Sequence, residues 1–350
     1  MKRKRILQLL ITLISMHFST YLSSQSIIVD DLLDDGEYLW ISSSTGLIKY
    51  QKQNTATILY TEQDNGIPPV LTNLSKDEEG NIWGISPFHG IIKFNGKQCS
   101  FYNKDNSELR DNTVCNHLYI EKNGNIWAGL IGGTDLVQFD GTIWKRYNLT
   151  STYIYAFLNT IYIDKDQTLW LGGFCEEKDV KDTWSLAKLP LSNITKGITP
   201  VNISSIGIKD IEIDKQGIFW IICENSFSLE SYNPVNEESH IFKLPESDYP
   251  DVDSNNQIIP FSDIIIDKYN NKWLCTYKKI YKYDGSNFIT YTHNKIDGSV
   301  HCLSSDSNGD IWIGTDSGLF KYIAAQDKIE PVELNINKNQ FIIINKKHQM

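Results

Sequence analysis

Tryptophan recurs along this chain in a fixed setting, and that setting constrains the fold more than any other feature. Trp40, Trp83, Trp127, Trp170, Trp220, Trp273 and Trp312 follow one another at intervals of 43, 44, 43, 50, 53 and 39 residues. An acid stands six residues before each: Asp34, Asp77, Glu121, Asp164, Asp214, Asp267 and Asp306. Four repeats add a glycine three residues before the tryptophan, Gly80, Gly124, Gly217 and Gly309, and the first keeps one a place earlier, at Gly36. Self-similarity at a period of about 40–50 residues marks propellers and other arrays of one repeated unit.

Downstream of each tryptophan comes a small or polar residue, an aliphatic, a basic or polar residue and an aromatic: GLIKY ending at Tyr50, GIIKF at Phe94, DLVQF at Phe139, KIYKY at Tyr283 and GLFKY at Tyr322. SLAKL at Leu189 and SLESY at Tyr232 are degenerate copies. Each repeat reads as four short strands: one ending at the acid, the tryptophan strand, the GLxKY strand and an outer strand such as TATILYT or TIWKRYN. Short strands at regular spacing argue an all-β chain, and one four-stranded sheet per repeat is a propeller blade. The expected architecture is an all-β, seven-bladed β-propeller of four-stranded antiparallel blades.

The motif D-x-x-G-N-I-W-x-G-T-x-x-G-L-x-K-Y, seen most fully from Asp306 to Tyr322, resembles the two-component regulator propeller repeat. That family is found in the extracytoplasmic halves of sensor kinases and in related exported proteins. The resemblance implies a β-propeller and, in sensors, oligosaccharide recognition. It implies no set of ligand residues, because its motif is scaffold. No kinase or receiver sequence accompanies the repeats here.

Residues 1–24 have the layout of a secretory signal peptide: the basic head MKRKR, an apolar stretch from Ile6 to Phe18, then the small polar run STYLSS. The stretch is shorter than the roughly 20 residues a membrane-spanning helix needs, so no span is expected after cleavage. The domain boundaries that follow are a propeller over 25–336 and a tail over 337–350. Loss of Lys2, Arg3, Lys4 and Arg5 from 33 basic residues leaves 29 against 43 acidic ones. Such a surface repels phosphate backbones and anionic lipid, which argues against nucleic acid and membrane surfaces as partners. The expected location is periplasmic or extracellular.

The acid-x-x-glycine turns read as Asx-type caps, the carboxylate accepting backbone N–H groups while glycine takes the positive φ of a tight hairpin. A calcium loop starting at Asp306 would need glycine at position six and glutamate at position twelve, where this chain has Ile311 and Ser317. Neither a metal nor a cofactor is expected. Cys99, Cys115, Cys175, Cys223, Cys275 and Cys302 show no pairing pattern, and buried free thiols are the default. The repeat tryptophans are expected to pack blade against blade rather than to face a ligand.

Function is expected on the disc face carrying the second-to-third-strand turns and the connections between blades, because two insertions lie there: Gly172 to Trp184 and Pro245 to Pro260. That face collects Phe88, His89, Asp135, Tyr153, Tyr155, Phe174, Trp184, Glu224, Tyr277, Lys278, His293 and Asp316. Aromatic faces with polar neighbours suit an oligosaccharide, while packing between loops is the plain alternative for any one of these residues. Three functions follow: a binding or sensing module for an extracellular oligosaccharide or other soluble ligand, a scaffold for a protein partner at the cell envelope, and a propeller-type lyase or hydrolase. No catalytic pair is marked. His89, His293 and His301 are the candidate bases of the histidine type for the third function.

Overall fold

The computed structural model describes residues 27–109, 115–130, 135–149, 153–177, 183–224, 226–244, 261–277, 279–296 and 298–336. Its strands, numbered β1 to β28 in chain order, form seven four-stranded antiparallel sheets, each from four consecutive strands. The first strand of each sheet is the innermost: β1 (Val29–Asp35), β5 (Thr72–Lys76), β9 (Cys115–Ile120), β13 (Tyr153–Ile163), β17 (Ile208–Ile213), β21 (Asp263–Ile266) and β25 (Val300–Ser305). Each packs beside the next, and β1 packs beside β25, so the seven blades close into a ring. The expected seven-bladed propeller is what the chain forms. The expected signal peptide, the 245–260 insertion and the tail from 337 lie outside the described residues.

The core is divided among seven seams, and one of the seven repeat tryptophans sits in each. Trp40 packs with Leu74, Ile82 and Phe94 of the second blade, and the pattern repeats around the ring until Trp312 packs with Val29, Leu39 and Ile41 of the first. The acid six residues earlier serves two partners. In the second blade, Asp77 Oδ1 accepts the Asn81 N–H at 2.8 Å while Oδ2 accepts the Trp83 indole N–H at 2.7 Å. Glu121, Asp164, Asp214, Asp267 and Asp306 accept their indoles at 2.7, 2.8, 2.9, 2.9 and 3.3 Å. The first repeat differs: the Trp40 indole reaches Asp35 at 3.4 Å, while Asp34 pairs with Lys52. The displaced Gly36 accompanies that one-residue shift.

One sequence expectation changes. The Gly172–Trp184 insertion is largely strand: β14 (Thr168–Glu177) and β15 (Thr183–Pro190) run on past the blade body, with Cys175 opposite Trp184. Closure needs no exchanged strand, since the first and last sheets are each continuous. The seam is instead packed by Val29 and Leu32 against Cys302, Trp312 and Leu319, with Val332, Leu334 and Ile336 laid over it. Thr57 Oγ1 donates to the Asn335 carbonyl at 2.6 Å. Cys99, Cys223, Cys275 and Cys302 are free thiols.

Candidate functional site

The innermost strands enclose an axial channel, and a polar side chain on most of them faces it from one level. Six of the seven blades have a register shift there, between Val29 and Asp31, Thr72 and Ser75, Ala128 and Leu130, Leu158 and Thr160, Ile208 and Asp210, and Val300 and Cys302. A bulge re-aims a side chain out of the regular alternation. Polar groups at this level fasten one blade to the next. Asp31 Oδ2 accepts the Leu74 N–H at 2.7 Å, Asn73 Oδ1 the Leu118 N–H at 3.4 Å, and His117 Nδ1 the Ile161 N–H at 3.2 Å. Asn159 donates to the Ile208 carbonyl at 2.8 Å, Asp210 accepts from Ile264, and Asp263 Oδ2 accepts the Leu303 N–H at 2.6 Å. These bonds cross six of the seven seams.

The channel is a cavity of about 820 Å³. Asp30, Asp31, Asp210, Glu212, Glu224 and Asp263 line it, against Lys209 and the imidazoles of His117 and His301. Burial pushes the Asp31 and Asp210 carboxyls up to about 6. It pushes Glu212 up to about 8, with the Asp210 charge adding to the rise, and Asp263 well above the usual carboxylate range. Burial holds His117 down to about 4, which keeps Nδ1 an acceptor for Ile161. All these groups retain some exposed surface because the channel is open at its mouth.

The mouth lies on the face of the second-to-third-strand turns. Asp316, in such a turn of the last blade, takes His301 Nε2 at 2.6 Å on one oxygen and the Ser299 N–H at 2.7 Å on the other. Asp30 lies beside this pair, its carboxyl raised by burial and lowered by His301. Glu224, after the second strand of the fifth blade, receives Asn159 at 3.4 Å. The arrangement offers donors and acceptors at the rim above an acidic shaft. Among the described residues, no group of three or more His, Cys, Asp or Glu side chains is arranged to hold a metal ion.

Of the twelve residues picked from sequence, Glu224 and Asp316 meet at this mouth. Phe88 is 76% exposed at a turn tip, and Tyr277 is also exposed. His89 is tied to Ser86 at 3.0 Å and packs on Phe101. His293 accepts the Lys295 N–H at 3.1 Å and packs on Phe320. Asp135 is 2% exposed and held by Arg146 at 2.9 and 2.6 Å. Trp184 is buried in the core of the third-to-fourth seam, and Phe174 is half-buried on β14. Tyr153 and Tyr155 pair through backbone with Glu177 and Glu176; their side chains, and all of Lys278, lie outside the described residues. The sequence reading missed Asn159, Lys209, Asp210, Glu212 and Asp263. A signal was present: a polar residue or a cysteine stands ten residues before the tryptophan at Asn73, His117, Thr160, Asp210, Asp263 and Cys302, and nine before it at Asp31.

Residues 294–317 match the family model described as two component regulator propeller. No curated protein sequence matches the chain. Among solved structures, the extracellular domain of the putative hybrid two component system BT3049 from B. thetaiotaomicron is similar at 19% identity and a TM-score of 0.61, over 85% of this chain and 40% of that one. This chain therefore spans well under half of that relative. A virginiamycin B lyase from Staphylococcus aureus, solved in a catalytically inactive form with quinupristin, is similar at 15% identity and a TM-score of 0.65, over 88% of this chain and 95% of that one. The extracellular domain of the putative one component system BT4673 from B. thetaiotaomicron gives 14% identity, a TM-score of 0.57, and coverage of 87% and 48%. At such identities the likeness is one of fold.

Proposed function

Taking as premise that this chain carries a two-component regulator propeller repeat, we propose that it is an exported binding module holding a soluble extracellular ligand, an oligosaccharide, over the mouth of the axial channel. The observation that carries this reading is the polar cavity of about 820 Å³ opening on the elaborated face. A hydroxyl-rich ligand needs donors and acceptors together. Asn159, Glu224, His301 and Asp316 supply both at the rim, and exposed Phe88 and Tyr277 on the same face offer ring surfaces. Export rests on the basic head and apolar stretch of residues 1–18. Among the described residues no helix is long and apolar enough to cross a membrane. Output would then pass to a protein partner at the cell envelope.

The test is thermal unfolding against a panel of oligosaccharides and polysaccharides. A ligand at 100 times its dissociation constant adds about 2.7 kcal/mol, or roughly 5 °C at about 2 °C per kcal/mol for a chain of this size. A reproducible shift with one glycan class supports the reading, and no shift across the panel defeats it. The His301–Asp316 pair favours lyase chemistry as a second reading, since a carboxylate-oriented imidazole is a general base. An unsaturated product that disappears in His301→Ala would establish it.

A further inference from the structure

The axial carboxyl groups have a consequence for the ring that stands apart from any ligand. Asp210 on β17 and Asp263 on β21 come from neighbouring blades, and both face the same axial channel within interacting distance of each other. Two ionised carboxylates side by side in a buried setting repel, so the pair is held best when one of them carries a proton. Their oxygens also accept from backbone. Asp210 Oδ1 accepts the Ile211 N–H at 2.8 Å, Asp263 Oδ1 the Ile264 N–H at 2.8 Å, and Asp263 Oδ2 the Leu303 N–H of the last blade at 2.6 Å. The pair therefore ties three consecutive blades together at the axis. Groups facing it come from every neighbouring strand: Asp30 and Asp31 from β1, Lys209 and Glu212 from β17, Cys275 from β22 (Lys272–Cys275), and His301 and Cys302 from β25, with His117 further round the channel on β9. Among these, Lys209 is the one permanently cationic side chain, against five further acidic or thiol groups that would add negative charge on ionising.

We propose that Asp210 and Asp263 form a proton-held clasp across the fifth, sixth and seventh blades, so that the closed ring is more stable in mildly acidic than in mildly alkaline surroundings. Burial supports the direction, since Asp31, Asp210, Glu212 and Asp263 all bind their protons more tightly in the ring than in the unfolded chain, where Asp and Glu titrate at 3.8 and 4.5. His117 acts the other way, since burial lowers it from 6.5 to about 4, but the four carboxyl groups outweigh one imidazole. The native state then holds more protons than the unfolded state from about pH 5 to about pH 8, and stability falls as pH rises through that window.

Thermal unfolding of the full chain between pH 5 and pH 8 tests this. The midpoint should fall by about 5 °C or more. Asp263→Asn, which keeps a permanent donor toward Asp210, should remove at least half of that fall and raise the midpoint at pH 8 relative to wild type. Glu212→Gln, which removes an acid whose hydrogen bond stays within its own strand, should flatten the upper part of the curve. Infrared spectra of Glu212→Gln at pH 7, in which the other strongly raised acid is gone, should still show the carbonyl stretch of a neutral carboxyl group. A midpoint that is constant or rising from pH 5 to pH 8 overturns the proposal, as does a full slope in Asp263→Asn. If that variant does not fold, absence of the neutral-carboxyl band in Glu212→Gln at pH 7 overturns it equally.

Discussion

At the scale of single residues, the repeat is held by an acid that does two things with two oxygens. In the fourth blade, Asp164 Oδ1 accepts the Asp166 and Thr168 N–H groups at 2.9 Å each while Oδ2 takes the Trp170 indole at 2.8 Å. Asp164→Ala leaves a buried indole donor and a turn unsatisfied together. Unsatisfied buried donors cost about 1–3 kcal/mol, so urea unfolding should show a loss of about 2–3 kcal/mol; a loss below about 0.5 kcal/mol would contradict the assignment. The strict six-residue spacing announced that acid and tryptophan belong together, and the turn cap could be inferred from it. The indole bond could not, because spacing does not say which way a side chain points. Gly314, in the tryptophan strand of the last blade, was legible only as part of a motif. A Cβ there would lie 2.6 Å from Val29 Cγ1 and closer still to Cys302 Sγ, at the seam where the ring closes. Gly314→Ala should cost about 1–3 kcal/mol through overpacking, read as a lowered denaturant midpoint with an unchanged slope.

At the scale of the strand, the third and fourth members of each blade explain the GLxKY motif and its failures. The lysine lies over its own blade's tryptophan in five blades, with Lys49, Lys93, Lys188, Lys282 and Lys321 at 5.1, 5.2, 5.4, 5.4 and 4.4 Å from the ring. In the fifth blade, where Ser231 replaces it, Lys272 from the next blade takes the place at 3.9 Å and stands 3.7 Å from Asp214. The degenerate copy SLESY is thus compensated across the seam, which no single-repeat comparison could reveal. An aromatic on the outer strand covers the tryptophan in five blades, through Tyr60, Tyr102, Tyr147, Phe242 and Tyr291. The fourth blade has Val201 at the matching register position, on a three-residue outer strand (Thr199–Val201), and a groove of about 710 Å³ lies at its seam with the fifth. Val201→Tyr should restore the stack and raise stability by about 0.5–1.5 kcal/mol. A lower melting temperature in that variant would show that the groove is not free to receive the ring.

At the scale of the whole molecule, seven like blades close through packing without an exchanged strand, and the last described residues are part of that closure. Leu334 and Ile336 cover the seam between last and first blades, where Asn335 accepts from Thr57. Truncation after Val332 should therefore lower the melting temperature by several degrees, with hydrogen exchange accelerating first in residues 29–35 and 300–305 rather than evenly around the ring. Blade number and strand order were legible because each blade repeats one local pattern. The axial site was legible only as a polar residue or cysteine recurring nine or ten residues before each tryptophan, because it is assembled from single residues spread from Asp30 to His301, each looking like one polar interruption of an apolar strand. Selecting aromatic and polar residues on the loops of one face included two acids at the channel mouth, Glu224 and Asp316, while the bulges that turn side chains into the channel leave no mark in composition. The most direct measurement is hydrogen–deuterium exchange with and without the oligosaccharide that shifts thermal unfolding. Protection should be confined to the channel mouth, in peptides covering 206–212, 222–224, 298–303 and 314–317. Protection restricted to the acid-x-x-glycine turns on the opposite face, or spread along the outer strands, would contradict a ligand held over the axis.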